Sequence, residues 1–280
     1  TANYFCSTLV DRIVSGYPTD RAEALQAELG FTDSLLVAGE QYHSWVIQRA
    51  GPVSDELPFS KTGLNVSFVD DLAPYREMKV RLLNGAHTSM VAVGYLAGLR
   101  LVKEVMDDAT LCSFVESLLL EETCPTMNFP EEVKQRFVKD VMDRFRNPTL
   151  KHQLISISLN STSKFVSRLL PTLKDFQKSR GELPKRIVFG LTCLIRFYKG
   201  EFNGIEIPVN DNPEVLAFFK VNWSRLVTDE INIETMVGII LGNSSIWGED
   251  LNGIPELTRT VSDQLNALDK NGVAHVLKIL

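Results

Sequence analysis

Two different hydrophobic patterns divide the chain near residue 72. The first part holds short runs rich in β-branched and aromatic residues, the pattern of strands. Between them, Asp20 to Leu29 has helical spacing, with Asp20 as the expected N-cap and Gly30 as the expected stop. These features predict a short α/β segment over residues 1–72, with strands at 7–14, 35–39, 45–48 and 64–69.

From residue 73 to residue 280, apolar residues recur at intervals of three and four positions. This spacing predicts amphipathic helices that pack on one another, and prolines mark the breaks between them. We therefore expect a mainly α, multi-helical domain. The predicted helices are 75–86, 88–106, 108–123, 131–145, 150–158, 164–180, 184–198, 213–221, 233–242 and 255–280.

Composition narrows the class of protein. The 280 residues are 44% hydrophobic, enough for a substantial core, and carry a net charge of −6 with no basic block, which argues against nucleic acid as a partner. Four separated cysteines lack the C-x-x-C spacing of metal or redox sites and suit a reducing cytosol. No apolar run reaches membrane-helix length and no signal peptide is evident, so a soluble cytoplasmic protein with no membrane partner is predicted.

Glycine-rich phosphate cradles are missing from the sequence. Neither G-x-G-x-x-G nor G-x-x-x-x-G-K-[ST] occurs, so this chain alone is expected to bind a dinucleotide weakly or not at all. The chain also begins on Thr1 without a methionine. We therefore expect a segment upstream.

One polar trio interrupts an otherwise apolar helical segment: Lys79, Asn84 and His87. On a straight α-helix Asn84 and His87 lie about 60° apart, but Lys79 lies about 140° from Asn84, an awkward placement. A lysine with a lowered pKa can exchange a hydroxyl proton, an asparagine can hold an oxyanion, and a histidine can orient a hydroxyl. By residue type alone, solvated Lys79 and Arg81, a capping Asn84 and a core His87 are the commoner outcome.

The run from Asp71 to Gly98 resembles the K-x4-N-x2-H signature of the polyol-specific long-chain dehydrogenases, the family of mannitol dehydrogenase and the hexuronate reductases. The resemblance implies a multi-helical C-terminal domain of the mannitol dehydrogenase and 6-phosphogluconate dehydrogenase type. It also implies that residues 1–72 are the remnant edge of a dinucleotide-binding domain. Further stretches narrow the resemblance to the tagaturonate reductase branch: residues 3–18, 35–48, 57–76, 144–171 and 246–257.

The resemblance also implies roles for single residues. Lys79 corresponds to the general acid–base, Asn84 to the group that polarises the reacting oxygen, and His87 to the group that orients the substrate. Asp11 matches a carboxylate that faces the substrate, although a local salt bridge with Arg12 is an equal alternative. Lys164 matches a lysine that contacts the substrate, whereas a lone lysine is more often solvated.

The chain departs from the mannitol enzymes at two positions. Ser156 replaces an arginine and Asn160 replaces an aspartate, which puts a polyol substrate in doubt. A hexuronate carries a carboxylate that needs a cation, and Lys164, Arg168 and His152 are the candidates for it. For Arg168 and His152, a helix-end or surface contact remains the alternative.

Taken together, the resemblance implies NAD-dependent, reversible reduction of D-tagaturonate to D-altronate without a metal, by the C-terminal part of an enzyme whose N-terminal Rossmann domain holds NAD. This chain alone is then expected to be inactive. The alternatives are fructuronate or mannitol dehydrogenase activity, or a non-catalytic helical interaction domain. Glu40, with Tyr42, His43 and Trp45, is interpreted as packing rather than a ligand site.

Overall fold

The computed structural model describes residues 3–280, and most of these residues are helical. The prediction of a mainly α, multi-helical protein is therefore confirmed. Thr1, on which the expectation of an upstream segment was based, lies outside the described residues. Among the described residues, no helix combines the length and the apolar character that a membrane crossing needs.

The described chain forms two compact units. The first contains the described residues up to Val80 together with Asn147–His152, and the second contains Arg81–Arg146 and Gln153–Leu280. The domain division at residues 72 and 73 stays a prediction about the intact protein.

The first unit is the α/β part of the chain. Its main sheet has the order β1-β4-β5, in which β1 and β4 are antiparallel and β4 and β5 are parallel, and β2 pairs with β3 in a separate antiparallel ladder. The elements are β1 (Thr8–Asp11), β2 (Val14–Gly16), α1 (Ala22–Leu29), β3 (Ala38–Gly39), β4 (Ser44–Gln48), α2 (Val53–Glu56), a 3-10 turn (Phe59–Lys61), β5 (Val66–Val69) and α3 (Ala73–Met78).

The sequence predicted the C-terminal end of α1 correctly but not its N-terminal cap. Gly30 ends the helix in the left-handed region, with φ 77°, as predicted. The predicted N-cap is wrong, because the helix is preceded by Arg21 and no side chain caps it. The Asp20 carboxylate instead accepts a hydrogen bond from Lys151 Nζ at 2.5 Å, within the same unit.

The second unit is built from helices and one short hairpin. Two π turns interrupt the helical chain: Lys79–Asn84, whose first two residues belong to the first unit, and Leu118–Thr123. The other elements are α4 (Gly85–Leu96), α5 (Val102–Asp107), α6 (Ala109–Ser117), a 3-10 turn (Cys124–Thr126), α7 (Glu131–Phe145), α8 (Leu154–Ile157), α9 (Ser161–Arg168), α10 (Leu170–Arg180), α11 (Lys185–Phe197), β6 (Glu201–Phe202), β7 (Ile205–Glu206), α12 (Pro213–Val227), α13 (Ile233–Leu241), α14 (Ser244–Trp247), a 3-10 turn (Leu251–Gly253), α15 (Leu257–Asn271) and α16 (Val273–Leu277).

Several long predicted helices are divided in the structure. The helix predicted over 88–106 is interrupted at residues 97–101, because Gly98 adopts φ 92° and ends the helical path before α5 begins at Val102. The helix predicted over 255–280 is divided at Gly272, whose φ is 77°. The helix predicted over 164–180 is divided into α9 and α10. Pro171 lies in the first turn of α10, a position that proline favours at a helix start.

The core of the second unit centres on α4 and α11, which are buried on nearly all sides. A helix that is buried all round belongs to the interior of a domain. Gly94 of α4 lies where a β-carbon would be 2.7 Å from Val105 Cγ2 and 3.1 Å from Leu154 Cδ1. The absence of a side chain at Gly94 therefore allows this close packing.

We expect Gly94→Ala to lower the free energy of unfolding by about 1–3 kcal/mol, because the added methyl overpacks two buried side chains. Gly238→Ala is the matched control, since a β-carbon there has its nearest neighbours at 4.0 Å and alanine favours a helix over glycine. Urea unfolding of both variants measures the difference. Equal midpoints for Gly94→Ala and the parent protein would contradict the packing argument.

Candidate active site

The predicted catalytic trio lies along a helical run that contains a π turn. Hydrogen bonds in a π turn join residues five apart, so these residues lie over one another on the same side of the helix. Lys79 and Asn84 are the first and last residues of the turn and are five apart. His87 follows in α4, about 60° from Asn84. The π turn therefore reduces the awkward angle expected between Lys79 and Asn84 on a straight α-helix.

Arg81 anchors the π turn to its surroundings in the second unit. Its guanidinium donates to Thr172 Oγ1 at 3.1 Å, to Thr126 Oγ1 at 2.8 Å and to Asp175 Oδ2 at 2.9 Å. Its side chain is 11% exposed, so the interpretation of Arg81 as a solvated residue is wrong. These three contacts stabilise a backbone geometry that is rare in helices and frequent at functional sites.

In the first unit, the Lys79 amine is held by the main chain of β1. Lys79 Nζ donates a hydrogen bond to the carbonyl oxygen of Val10 at 2.5 Å. The next residue, Asp11, is 6% exposed and pairs with Ser44 of β4. The predicted acid–base therefore contacts β1 at the residue before Asp11, the predicted substrate-facing carboxylate.

Glu40 is a buried carboxylate in the first unit that the sequence interpretation assigned to packing. It is 2% exposed, and its Oε1 accepts the Ile13 backbone N–H at 2.6 Å. The Glu40 backbone N–H donates to the Ile13 carbonyl at 3.1 Å, and the Glu40 carbonyl accepts from Arg12 Nε at 2.9 Å. Burial lowers the pKa of His152, and the negative charge of Glu40 opposes this shift.

In the second unit, a hydrogen-bonded chain joins α9 to the end of the π turn. Arg168 Nη1 donates to Thr88 Oγ1 at 3.2 Å, and Thr88 Oγ1 donates to the Asn84 carbonyl at 2.9 Å. The pKa of Arg168 is lowered by burial. Arg168 is therefore a partly desolvated cation linked through one hydroxyl to the backbone of Asn84.

Lys164 lies one helical turn before Arg168 on α9, so the two cations share a face. Lys164 Nζ donates to the Ile157 carbonyl at 2.8 Å. Burial lowers the pKa of Lys164, the Arg168 charge lowers it further, and the Asp211 charge raises it. Two half-buried cations on one helix face favour an anionic ligand.

His87 is fixed by packing in the second unit. It is 7% exposed, and its ring centroid is 4.2 Å from that of Phe145, with the planes tilted by 31°. This contact is what a core histidine makes, and it restricts the movement of the imidazole ring.

The structure divides the predicted site residues between the two units. The first unit holds Asp11, Lys79 and His152, and the second holds Asn84, His87, Lys164 and Arg168. Over residues 3–280, no three histidine, cysteine, aspartate or glutamate side chains form a group that could hold a metal ion. The first unit offers proton exchange by lysine, and the second offers an amide donor and cationic anion binding.

Comparison with known proteins defines the class. Residues 71–269 match the mannitol dehydrogenase C-terminal domain, so the chain belongs to the mannitol dehydrogenase family. It is 44% identical over 271 residues to the altronate oxidoreductase of Yersinia enterocolitica, covering 97% of this chain and 56% of that protein. The altronate oxidoreductase of an Escherichia coli O7:K1 strain is 44% identical over 279 residues, covering 100% of this chain and 58% of that protein. The chain thus spans little more than half the length of these curated relatives, and the predicted resemblance is confirmed.

Solved structures confirm the fold. Mannitol 2-dehydrogenase of Pseudomonas fluorescens, in a ternary complex with NAD and D-mannitol, superposes with a TM-score of 0.83 at 25% identity and covers 98% of this chain and 54% of its own. A substrate-free D-sorbitol dehydrogenase gives a TM-score of 0.76 at 22% identity, covering 98% of this chain and 54% of its own.

Proposed function

We propose that this chain supplies the acid–base and substrate-binding part of an NAD-dependent oxidoreductase that interconverts D-tagaturonate and D-altronate. The observation that carries the proposal is the π turn, which aligns Lys79 with Asn84 on one side of the helix. The names of the curated relatives support the choice of hexuronate. Altronate oxidoreductase and tagaturonate reductase are two names for one activity.

The acid–base step follows from the groups on this helix. When bound, the nicotinamide cofactor would supply a hydride as NADH and accept one as NAD. In reduction, the Lys79 ammonium gives a proton to the carbonyl oxygen of the substrate as that oxygen becomes an alcohol. The Asn84 side-chain amide donates a hydrogen bond to the same oxygen and stabilises its developing negative charge. His87 orients a neighbouring hydroxyl, and in oxidation the neutral Lys79 amine takes the hydroxyl proton back.

The substrate carboxylate is assigned to the cations of α9. Arg168 suits it because a guanidinium can pair with a carboxylate through two parallel hydrogen bonds, and Lys164 adds a second positive charge. Asp11 is assigned to the substrate hydroxyls, since a carboxylate accepts hydrogen bonds from them. His152 is the third cation candidate, but burial lowers its pKa, so it carries the positive charge that an anion needs only at lower pH than an ordinary histidine.

We further propose that another domain of the intact protein holds NAD and that this chain alone is inactive. The sequence has no glycine-rich turn for a pyrophosphate, and the curated relatives are nearly twice as long. The described cysteines are all free thiols, which suits the reducing cytosol as the proposed location.

A substrate panel on the intact protein tests the proposal. NADH oxidation is measured with D-tagaturonate, D-fructuronate and D-fructose, and the isolated 280-residue chain is assayed beside it. We expect the highest kcat/KM with D-tagaturonate, little activity with D-fructose, and none in the isolated chain. Preference for D-fructose would contradict the assigned carboxylate site, and preference for D-fructuronate would contradict the assigned hexuronate.

A further inference from the structure

We propose that Asp211 and Tyr198 are positioning residues that set the cationic helix α9 for a substrate carboxylate. This inference rests on the proposed function, because it assigns Lys164 and Arg168 of α9 to that carboxylate. Asp211 and Tyr198 touch neither the catalytic helix segment nor the assigned substrate groups in the hydrogen bonds described below. They act through the first turn of α9.

The Asp211 carboxylate fixes that first turn directly. Its Oδ2 accepts hydrogen bonds from the Thr162 hydroxyl at 2.9 Å and from the Thr162 backbone N–H at 3.4 Å. The hydroxyl of Tyr198 donates to the same oxygen. One carboxylate oxygen therefore connects the start of α9 to a tyrosine at the end of α11.

Asp211 replaces a missing N-cap. Asn160 occupies the N-cap position of α9 in the left-handed region, with φ 53° and ψ 46°, and its side chain makes no capping hydrogen bond. The Asn160 backbone N–H instead donates to the Asn210 carbonyl at 3.0 Å. The segment at residues 210–211 thus holds the start of α9 at two points, and its carboxylate lies at the positive end of the helix dipole.

The same carboxylate acts on the charge of Lys164. The charged groups that influence this amine are Arg168, which lowers its pKa together with burial, and Asp211, which raises it. Only one hydrogen bond to a carbonyl, that of Ile157, is described for Lys164 Nζ, and an ammonium can donate three. Asp211 therefore favours a protonated Lys164 with donors for an anionic ligand.

Tyr198 keeps the Asp211 oxygen in place as a neutral donor. Burial raises the pKa of Tyr198, and its hydrogen bond to the charged Asp211 raises it further, so the phenol stays protonated throughout the range in which enzymes are assayed. Tyr198 itself is packed against Phe219, with ring centroids 4.6 Å apart. Tyr198 therefore holds the Asp211 carboxylate in position, whereas Asp211 both holds the first turn of α9 and acts on Lys164 through its negative charge.

This difference in role gives a test in the intact enzyme. Asp211→Asn keeps the size and one acceptor oxygen but removes the charge, whereas Tyr198→Phe removes one hydrogen bond and leaves the charge. We expect Asp211→Asn to raise KM for D-tagaturonate about tenfold or more, with kcat within about twofold of the parent, because hydrogen bonds to charged groups are the strong ones. Tyr198→Phe is expected to raise KM less.

A second measurement separates charge from structure. The pKa of Lys164 is followed by competitive labelling with an amine-reactive reagent over a pH series, with peptide mass spectrometry as the readout. We expect the labelling midpoint of Lys164 to move to lower pH in Asp211→Asn and to stay unchanged in Tyr198→Phe. Asp263→Asn, on the exposed side of α15, is the control and is expected to change neither KM nor the midpoint.

The outcomes are distinct. An unchanged KM with an unchanged Lys164 midpoint in Asp211→Asn would overturn the inference. A fall in both kcat and melting temperature without a rise in KM would also overturn it, because that result indicates a structural role only. If the parent enzyme does not act on D-tagaturonate, the proposed function fails. The labelling midpoint still decides whether Asp211 sets the charge of Lys164.

Discussion

Replacement of Lys79 by alanine in the intact enzyme is expected to lower kcat at least about 100-fold with little change in melting temperature. This is the loss typical of removing a general acid–base group. The Lys79 amine is held by a hydrogen bond to the Val10 carbonyl, so the substitution removes a positioned proton carrier rather than a core side chain. Stopped-flow measurement of NADH oxidation gives kcat, and a thermal melt gives the melting temperature.

Arg76→Ala is the matched control for that experiment. Arg76 is an exposed cation three residues earlier on the same helical run, and its loss is expected to leave kcat unchanged. If Lys79→Ala turns over at a near-normal rate, Lys79 is not the acid–base. If both variants lose activity equally, the effect comes from the helix rather than from the amine.

Replacement of Asn84 by alanine is expected to lower kcat about 10²–10³-fold, the usual result of removing one donor to a developing oxyanion. The Asn84 backbone carbonyl still accepts from Thr88 in this variant, so the hydrogen-bonded link to Arg168 is kept. KM is therefore expected to change little. The assay is a full kcat and KM determination with saturating NADH.

Asn266→Ala on α15 is the control, because its amide makes a local hydrogen bond to the Ser262 carbonyl and has no proposed role with substrate. A rise in KM with normal kcat in Asn84→Ala would show that Asn84 binds substrate without stabilising the transition state. That result would contradict the assigned oxyanion role.

Helix spacing predicted some elements residue by residue and others only in part. The predicted helix 131–145 is α7, because its apolar positions follow one continuous face between Pro130 and Arg146. The predicted helices that crossed Gly98 and Gly272 were too long, because apolar spacing resumes after each glycine while the backbone has turned into the left-handed region. The spacing of apolar residues indicates which helix faces are buried, but it does not indicate where a glycine turns the backbone.

The catalytic motif and its geometry differed in how far they could be predicted. The family signature marks Lys79, Asn84 and His87, but the π turn that aligns the first two is stabilised by Arg81 contacts to residues 45 to 94 positions away in the chain. A tertiary contact of that range leaves no trace in local spacing.

Glu40 and Asp211 show the same limit. Each binds a backbone N–H far away in the chain, 27 positions for Glu40 and 49 for Asp211. An acidic residue among aromatic ones was the only local signal at Glu40, and Asp211 lies in a polar segment that resembles an ordinary turn. Their importance follows from burial and from the partner, which only the fold supplies.

The most direct test of the account is the distance between Lys79 Nζ and the reacting oxygen in a crystal structure of the intact enzyme with oxidised NAD and D-altronate. We expect this distance to be about 2.6–3.2 Å, the range needed for direct proton transfer, with the Asn84 amide donating to the same oxygen. A bound altronate whose reacting oxygen lies beyond hydrogen-bonding distance of Lys79, with another side chain in its place, would contradict the central claim.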